Sequence, residues 1–352
     1  MINNIQGLRA VAASAVVLVH LNELFRTVGL DSECGAAGVD LFFVISGFVM
    51  VLATKKREQG AIHFLKNRIA RIVPIYWLLT LTLFSLTLIA PSLLQATTAD
   101  PLELLKSLAF IPFMKSNGLV QPTLFVGWTL NYEMFFYLVF ALGLIFKSPK
   151  VGLIATILTL IALVVVGELL QPSNVLMKFY TSPVMLEFGF GMIAALLAER
   201  MGRGLKPPTA LLLRATAIAA FTILFFGPLI WPQAPQVVVL GGSSFILVLA
   251  AVALDRAGLS LNNRYVLLIG EASYALYLTH PWVTQTVQRL AFMFHPTGIL
   301  SLIFIFVAVV VAILMGVMIH LFIEVRLTKF ARTLLRLERT SVTIQSGPQQ
   351  AS

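Results

Sequence analysis

Long apolar runs alternate with short polar segments along almost the whole chain. About 20 consecutive apolar residues suffice for a helix to cross a bilayer. The pattern therefore predicts an all-α, polytopic integral membrane protein with about ten transmembrane helices. The run around Leu104–Met114 is too short to span and predicts a re-entrant or interfacial segment. The predicted spans are 8–29, 36–54, 72–93, 123–146, 151–170, 179–199, 209–231, 236–254, 265–288 and 298–325.

Composition agrees with this membrane prediction. The 352 residues are 59% hydrophobic and 11% charged, whereas soluble domains carry about 25% charged residues. The net charge of +10 would suggest nucleic acid binding in a soluble protein, but here the cations cluster between apolar runs, so no nucleic acid partner is expected. Cys34 is the single cysteine, which excludes an internal disulfide and a thiolate metal site.

The charged loops predict the orientation in the membrane, because cytoplasmic loops carry an excess of Lys and Arg. The segment after the second span is rich in cations. Because successive loops lie on alternate sides of the membrane, all the remaining basic loops fall on the same side as this segment. Both termini are therefore predicted to be cytoplasmic, with a membrane domain over 1–330 and a disordered cytoplasmic tail over 331–352. The cations on that side include Lys55, Lys56, Arg57, Lys66, Arg68, Arg71, Lys147, Lys150, Arg200, Arg203, Lys206, Arg256, Arg264, Arg326, Lys329, Arg332, Arg336 and Arg339.

Arg9 and His20 lie in the first span with ten residues between them. Eleven steps make almost three helical turns, so both side chains share one face and lie roughly 16 Å apart along the axis. With Arg9 at the surface, His20 would lie near the midplane, where an ionisable residue indicates a functional site. Glu23 follows one turn later and is expected to hold the imidazole in one tautomer. The alternative is a histidine hydrogen-bonded to a neighbouring helix.

Further polar residues fall within the other spans. Asp40 lies in the second span and requires a polar partner in the membrane, whereas the glycines nearby are best explained by close helix packing. Glu133 and Tyr137 are i,i+4 neighbours and are expected to share a hydrogen bond. His280 precedes a proline that is expected to kink its helix, and its predicted role is structural.

Lys66, Arg68 and Arg71 occur at helical spacing just before Pro74. Guanidinium groups bind phosphates bidentately, so these residues are candidates for a phosphate site. Charge alone favours the simpler explanation, namely topology signalling and contact with anionic lipid. Several ionisable residues in one bilayer nevertheless indicate either chemistry or the movement of ions. A secondary transporter and a glycolipid flippase are therefore alternatives to an enzyme, although no internal repeat typical of many transporters is found.

Five segments, in this order, resemble the acyltransferase 3 family of integral-membrane O-acyltransferases. They are NIQGLRAVAASAVVLVHL, GAAGVDLFFVISGFVM, FLKNRIARIVPIYW, VGWTLNYEMFFYL and SYALYLTHP, and the resemblance extends from about Asn4 to Lys329. The second and fourth segments are most similar to the branch that acetylates bacterial exopolysaccharides such as succinoglycan.

The resemblance implies transfer of an acyl group, usually acetyl, from cytoplasmic acyl-CoA to a hydroxyl of an exported or cell-surface glycan, free or lipid-linked. It implies a multi-pass protein of the bacterial inner membrane with acetyl-CoA as donor, and no metal is expected. His20 matches the essential histidine of the family, Arg9 its basic partner, and Arg68 and Arg71 the arginines near the acyl-CoA entry. The predicted catalytic residues are His20, Glu23, Asp40, Glu133 and Tyr137; the donor-binding residues are Arg9, Lys66, Arg68 and Arg71; the substrate-binding residues are Ser46, Trp128, Asn131 and Tyr277.

The chemistry also follows from the residue types. Attack of a sugar hydroxyl on a thioester requires a base with a near-neutral pKa, which histidine provides, and donors for the developing oxyanion. His20 is a candidate either for deprotonating the acceptor or for carrying the acyl group itself. The sequence leaves both routes open. At roughly 16 Å from His20, Arg9 is too distant to contact the same atom and is expected to meet the CoA end of the donor.

Overall fold

The regular structure is helical throughout the described part of the chain, which comprises residues 2–55, 60–90, 99–201 and 207–337 of a computed structural model. The all-α prediction is therefore confirmed. The helices are α1 Asn3–Val19, α2 Asn22–Arg26, α3 Ala37–Lys55, α4 Ala61–Ile89, α5 Pro101–Leu108, α6 Trp128–Gly143, α7 Pro149–Leu170, α8 Val175–Tyr180, α9 Met185–Arg200, α10 Pro207–Ile230, α11 Gly242–Arg256, α12 Arg264–Glu271, α13 Ser273–Phe294, α14 Ile299–Ile319 and α15 Val325–Leu334.

Eight helical segments in these residues are long and apolar enough to cross a membrane. Each of them overlaps one predicted span, which confirms a multi-pass membrane protein. The total of ten helices and the side on which the termini lie remain predictions. The eight segments are Glu33–Thr54, Ala61–Ile89, Phe125–Gly143, Pro149–Leu170, Val175–Arg200, Thr209–Ile230, Val237–Arg256 and Ile299–Leu334.

The other two predicted spans are interrupted helices. The run 8–29 divides into α1 and α2 at His20 and Leu21, and the run 265–288 divides into α12 and α13 at Ala272. Both predictions of one continuous helix were therefore wrong. Each interruption lies next to a functional motif, since His20 stands directly at the end of α1 and Ser273 opens α13.

The α1 helix lies inside the bundle and packs against α3, α11, α12, α13 and α14. Its alanine-rich face permits close approach of α3, where glycines replace larger residues. A Cβ at Gly38 would overlap the carbonyl oxygen of Ala12, and one at Gly35 would overlap that of Ala15. The predicted packing role of these glycines is confirmed. Larger residues there would push α3 away from α1.

Hydropathy predicted that the third span begins at residue 72, but the α4 helix begins at Ala61. Its basic residues therefore lie within the helix and not in a preceding loop. The helix continues through Pro74, which membrane helices tolerate because neighbouring groups satisfy the freed backbone. The hydropathy signal misplaced the start because Arg68 and Arg71 interrupt the apolar run while facing the interior of the bundle.

The predicted domain boundary at residue 330 falls inside α15. This helix packs against α4, and Arg332 donates a hydrogen bond to the side-chain oxygen of Asn67 at 3.2 Å. The helix therefore belongs to the bundle up to Leu334. The rest of the predicted tail, residues 338–352, lies outside the described residues, as do Lys56, Arg57, Arg203 and Lys206 of the basic loops.

The predicted orientation can be tested with two reporter fusions. A periplasm-dependent alkaline phosphatase fused after Arg336 is expected to be inactive, and one fused after Gln233, in the uncharged segment between α10 and α11, is expected to be active. Enzyme activity corrected for fusion abundance is the measurement. The reverse pattern would place the basic loops outside and overturn the orientation.

Candidate active site

A cavity of about 120 Å³ lies among α1, α3, α4, α6 and α13, and we call it the basic cavity. It collects several residues that the sequence singled out from separate helices: Arg9, Ser46, Arg68, Arg71, Glu133, Tyr137 and Tyr277. The sequence motifs thus converge on one site. Its other polar lining includes Thr129, Ser273 and Tyr274.

Three guanidinium groups give this cavity its charge. Arg9 donates from Nε and Nη2 to the Ser273 hydroxyl at 3.1 and 2.8 Å, and from Nη1 to the Gln6 side chain at 3.3 Å. Arg68 stacks over the Phe64 ring at 5.6 Å. Within the described residues, none of the three arginines, Arg9, Arg68 and Arg71, lies at ion-pair distance from a carboxylate. Because cations inside a membrane protein normally have an anionic partner, three half-buried arginines without one make the cavity suited to a negatively charged ligand.

Glu133 anchors a hydrogen-bonded group at the wall of the basic cavity. Its Oε1 accepts a hydrogen bond from the Ser46 hydroxyl at 2.9 Å and one from the Tyr137 hydroxyl at 3.1 Å. The i,i+4 contact predicted from the sequence is confirmed, and Ser46 joins it from α3. The carboxylate is the one acidic group in the cavity lining, against three arginines, so the site keeps excess positive charge.

His20 occupies the C-terminal end of α1, outside the lining of the basic cavity. Its Nδ1 lies 2.8 Å from the carbonyl oxygen of Val16. A carbonyl can only accept, so Nδ1 carries the proton and Nε2 keeps its lone pair for use as a base or nucleophile. The prediction that Glu23 fixes this tautomer was wrong, since the backbone one turn earlier does so. Glu23 instead lines the same recess as His20.

His280 packs directly against His20, with ring centroids 4.8 Å apart in a T-shaped arrangement. It is fully buried, and neither ring nitrogen has a hydrogen-bond partner in the described residues. The same imidazole of His20 also contacts Phe125 at 5.4 Å, and Gln288 donates to the His20 carbonyl at 2.7 Å. The structure therefore places His280 beside the candidate base, and its predicted structural role stays a prediction.

Tyr277 connects the basic cavity to the two histidines. Its ring lines the cavity and lies 5.9 Å from His280. The hydroxyl donates to the Val126 carbonyl at 3.0 Å and accepts from Thr129 at 2.9 Å, which fixes the ring. Tyr277 and His280 thus stand between the basic cavity and His20, and we call these two side chains the partition.

The remaining predicted residues lie outside the lining of the basic cavity. Lys66 is exposed, because two residues along a helix turn a side chain to the opposite face from Arg68. Trp128 packs edge-on against Phe43 and Tyr132, which is a packing environment. Asn131 is only 1% exposed and lies within the bundle.

Asp40 also lies outside the lining of the basic cavity, on α3, and the carboxyl group of Glu187 lies on the neighbouring α9. Glu187 is 0% exposed. Neither carboxyl oxygen of Glu187 has a hydrogen-bond partner in the described residues, so the polar partner expected for Asp40 stays a prediction. The α3 and α9 helices approach closely at Gly47 and Phe188.

Sequence reasoning missed Ser273 and the contact made by His280. Both lie on α13 with Tyr277, at positions i, i+4 and i+7 of one helical face. That spacing within SYALYLTHP was a usable signal. Only the fold, however, shows that the face points at Arg9 at one end and at His20 at the other.

The chain is similar to known acyltransferases. The family described as an acyltransferase domain matches residues 2–321. ExoZ of Rhizobium meliloti, an exopolysaccharide production protein, is 35% identical over 260 residues, which is 72% of this chain and 78% of ExoZ. OatA of Staphylococcus aureus, an O-acetyltransferase, is 26% identical over 304 residues, which is 78% of this chain and 49% of OatA. The chain thus spans about half of OatA, and no solved structure matches it significantly.

These matches cover nearly all of the membrane helices that form the basic cavity and carry His20. The similarity to ExoZ confirms the predicted exopolysaccharide branch. The chain belongs to the acyltransferase 3 family and is a multi-pass membrane O-acyltransferase.

Proposed function

We propose that the protein transfers an acetyl group from cytoplasmic acetyl-CoA to a hydroxyl group of an exported bacterial polysaccharide, from a position in the inner membrane. The observation that carries this proposal is the basic cavity, in which three arginines from α1 and α4 meet without a carboxylate at ion-pair distance in the described residues. The phosphates of CoA are the anion that such a site suits, because guanidinium groups bind phosphate bidentately.

The chain direction and the predicted orientation support entry of the donor from the cytoplasm. Arg9, Arg68 and Arg71 lie in the N-terminal halves of α1 and α4, next to the ends that the positive-inside rule assigns to the cytoplasm. His20 lies at the far end of α1. The donor would therefore enter from the cytoplasm, and the acceptor would meet His20 from the opposite side.

The reaction requires a base and a transferable acyl group. In the direct route, Nε2 of His20 takes the proton of the acceptor hydroxyl while its oxygen attacks the thioester carbonyl. The new C–O bond forms as the C–S bond breaks, and the CoA thiolate then takes up a proton. In the alternative route, Nε2 attacks the thioester carbonyl and the C–S bond breaks to release the CoA thiolate. The acceptor oxygen then attacks the acetylated imidazole, the C–N bond breaks, and the hydroxyl proton passes to the freed Nε2 and on to the thiolate. The polarised Nδ1–Val16 arrangement serves both routes.

The names of two relatives support the acetyl group and the polysaccharide acceptor in this proposal. OatA is named an O-acetyltransferase and ExoZ an exopolysaccharide production protein. The sequence pattern is also compatible with two other functions, a proton-coupled transporter and a glycolipid flippase. An arginine-rich cavity that lies on one side of a buried two-ring partition favours a donor site over a through-going transport path.

Purified protein in lipid nanodiscs, supplied with radiolabelled acetyl-CoA and de-O-acetylated exopolysaccharide, is expected to label the polysaccharide and release CoA. The label should be removed by mild alkali, because an O-acetyl ester is base-labile. A transporter or flippase would move its substrate across proteoliposomes without consuming acetyl-CoA. Absence of CoA release with every acceptor preparation would contradict the proposed function.

A further inference from the structure

Two adjoining recesses open at the end of the bundle where α1 ends, opposite the arginines. The first, of about 270 Å³, is lined by His20 and is called the His20 recess. The second, of about 180 Å³, is lined by Trp282 and is called the Trp282 recess. Together they reach the lower part of the range of roughly 300–1,000 Å³ that is usual for small-molecule sites.

The His20 recess is lined mainly by polar side chains, although it lies in a membrane protein. Asn22, Glu23, Thr284, Gln285 and Gln288 surround the imidazole. A carboxamide can donate to and accept from several hydroxyl groups at once, and a carboxylate can accept from several. This chemistry suits a molecule rich in hydroxyls and is unsuited to a lipid tail.

Some of these polar groups are already occupied and others are available. Asn22 accepts from the Ser32 backbone at 2.7 Å, and Gln288 donates to the His20 backbone at 2.7 Å, so both help to build the recess. In the described residues no hydrogen-bond partner is found for the side chains of Gln285 and Glu23. These two side chains are therefore free to bind a ligand.

Gln285 also lines the Trp282 recess, together with Phe125, so the two recesses share a wall. The indole nitrogen of Trp282 is buried without a hydrogen-bond partner in the described part of the chain. An unpaired buried donor is costly unless a ligand or water satisfies it. The second recess thus has an indole ring in its wall, next to the first recess, and the nitrogen of that indole is unpaired.

We propose that the two recesses form the acceptor site and bind two consecutive sugar units of a glycan, the reacting unit in the His20 recess and its neighbour in the Trp282 recess. Gln285, at the junction, hydrogen-bonds both units, and Glu23 holds a hydroxyl of the reacting unit beside Nε2 of His20. This assignment rests on the proposed function, since it names the substrate site of the same reaction.

Replacing Gln285 by leucine is expected to raise the KM for de-O-acetylated exopolysaccharide fragments roughly threefold to tenfold, because one or two hydrogen bonds to the sugar are lost. The KM for acetyl-CoA should not change, because Gln285 lies outside the basic cavity. Steady-state kinetics of the full-length protein in nanodiscs provide the measurement. Gln233→Leu, the same change in an exposed segment between α10 and α11, is the matched control.

A second measurement detects sugar binding without turnover. With Cys34 replaced by serine, Gln285→Cys provides the only thiol of the chain. A membrane-impermeant maleimide should label it in intact cells, and exopolysaccharide fragments should slow that labelling whereas acetyl-CoA should not. Protection in a protein that transfers no acetyl group would support the sugar site and contradict the proposed function. Unprotected labelling together with an unchanged acceptor KM in Gln285→Leu would overturn the acceptor site.

Discussion

Replacement of His20 by asparagine is expected to reduce acyl transfer by at least about 100-fold, the usual cost of losing a general base or nucleophile. Asparagine can still donate to the Val16 carbonyl, the bond that Nδ1 makes now. The helix end should therefore keep its conformation while Nε2 is lost. The kcat of protein purified in nanodiscs, with the folded fraction measured by size-exclusion chromatography, provides the test.

The matched control is His295→Asn. His295 is exposed at the end of α13 and has a positive φ of 44°, a conformation that asparagine adopts readily. It should leave transfer unchanged. His280 would be a poor control, because its ring contacts His20 at 4.8 Å. Transfer within a factor of three of wild type in His20→Asn would remove His20 from the reaction.

Replacement of Arg71 by alanine is expected to raise the KM for acetyl-CoA roughly tenfold to 100-fold, because a hydrogen bond to a charged phosphate is lost. Arg71 lines the basic cavity with Arg9 and Arg68, where the CoA phosphates are proposed to bind. Arg68→Ala should act in the same direction. Lysine at either position should restore the charge without the bidentate geometry, so recovery should be partial.

Lys66→Ala is the control for these arginine variants, because Lys66 lies on the same helix but is exposed and outside the cavity lining. Lys66→Ala should change membrane insertion at most and leave the KM for acetyl-CoA unchanged. If the cations only contact anionic lipid, the same result is expected for Lys66, Arg68 and Arg71 alike. Kinetics corrected for the amount of inserted protein distinguish the two roles. An unchanged KM for acetyl-CoA in both Arg68→Ala and Arg71→Ala would exclude them from the donor site.

Much of the fold was predictable because a bilayer imposes one length scale on every spanning helix. Eight of the predicted runs correspond to helices of sufficient length and hydropathy. The prediction was less accurate where polar side chains face the interior of the bundle. The start of α4 and the breaks after Val19 and at Ala272 lie at such positions, since hydropathy registers polarity but not the direction in which a side chain points.

The site shows the same limit. Contacts within one helix follow from the helical period, so Tyr137 could be predicted to bond Glu133. Contacts between Arg9 and Ser273, or between His20 and His280, join residues more than 250 positions apart in the chain. No local pattern encodes such pairings, because they depend on how α1 and α13 cross.

The partition of Tyr277 and His280 also bears on the electrical insulation of the membrane. A continuous water-filled channel from the arginines to His20 would conduct ions, and each charge driven by a 100 mV potential dissipates about 2.3 kcal/mol. His280 is fully buried, and Tyr277 is tied to Val126 and Thr129, so two packed rings occupy that route in place of water. In the proposed reaction only a neutral acetyl group would pass the partition, so no charge would cross with it. Transfer of this kind would leave the membrane potential unchanged.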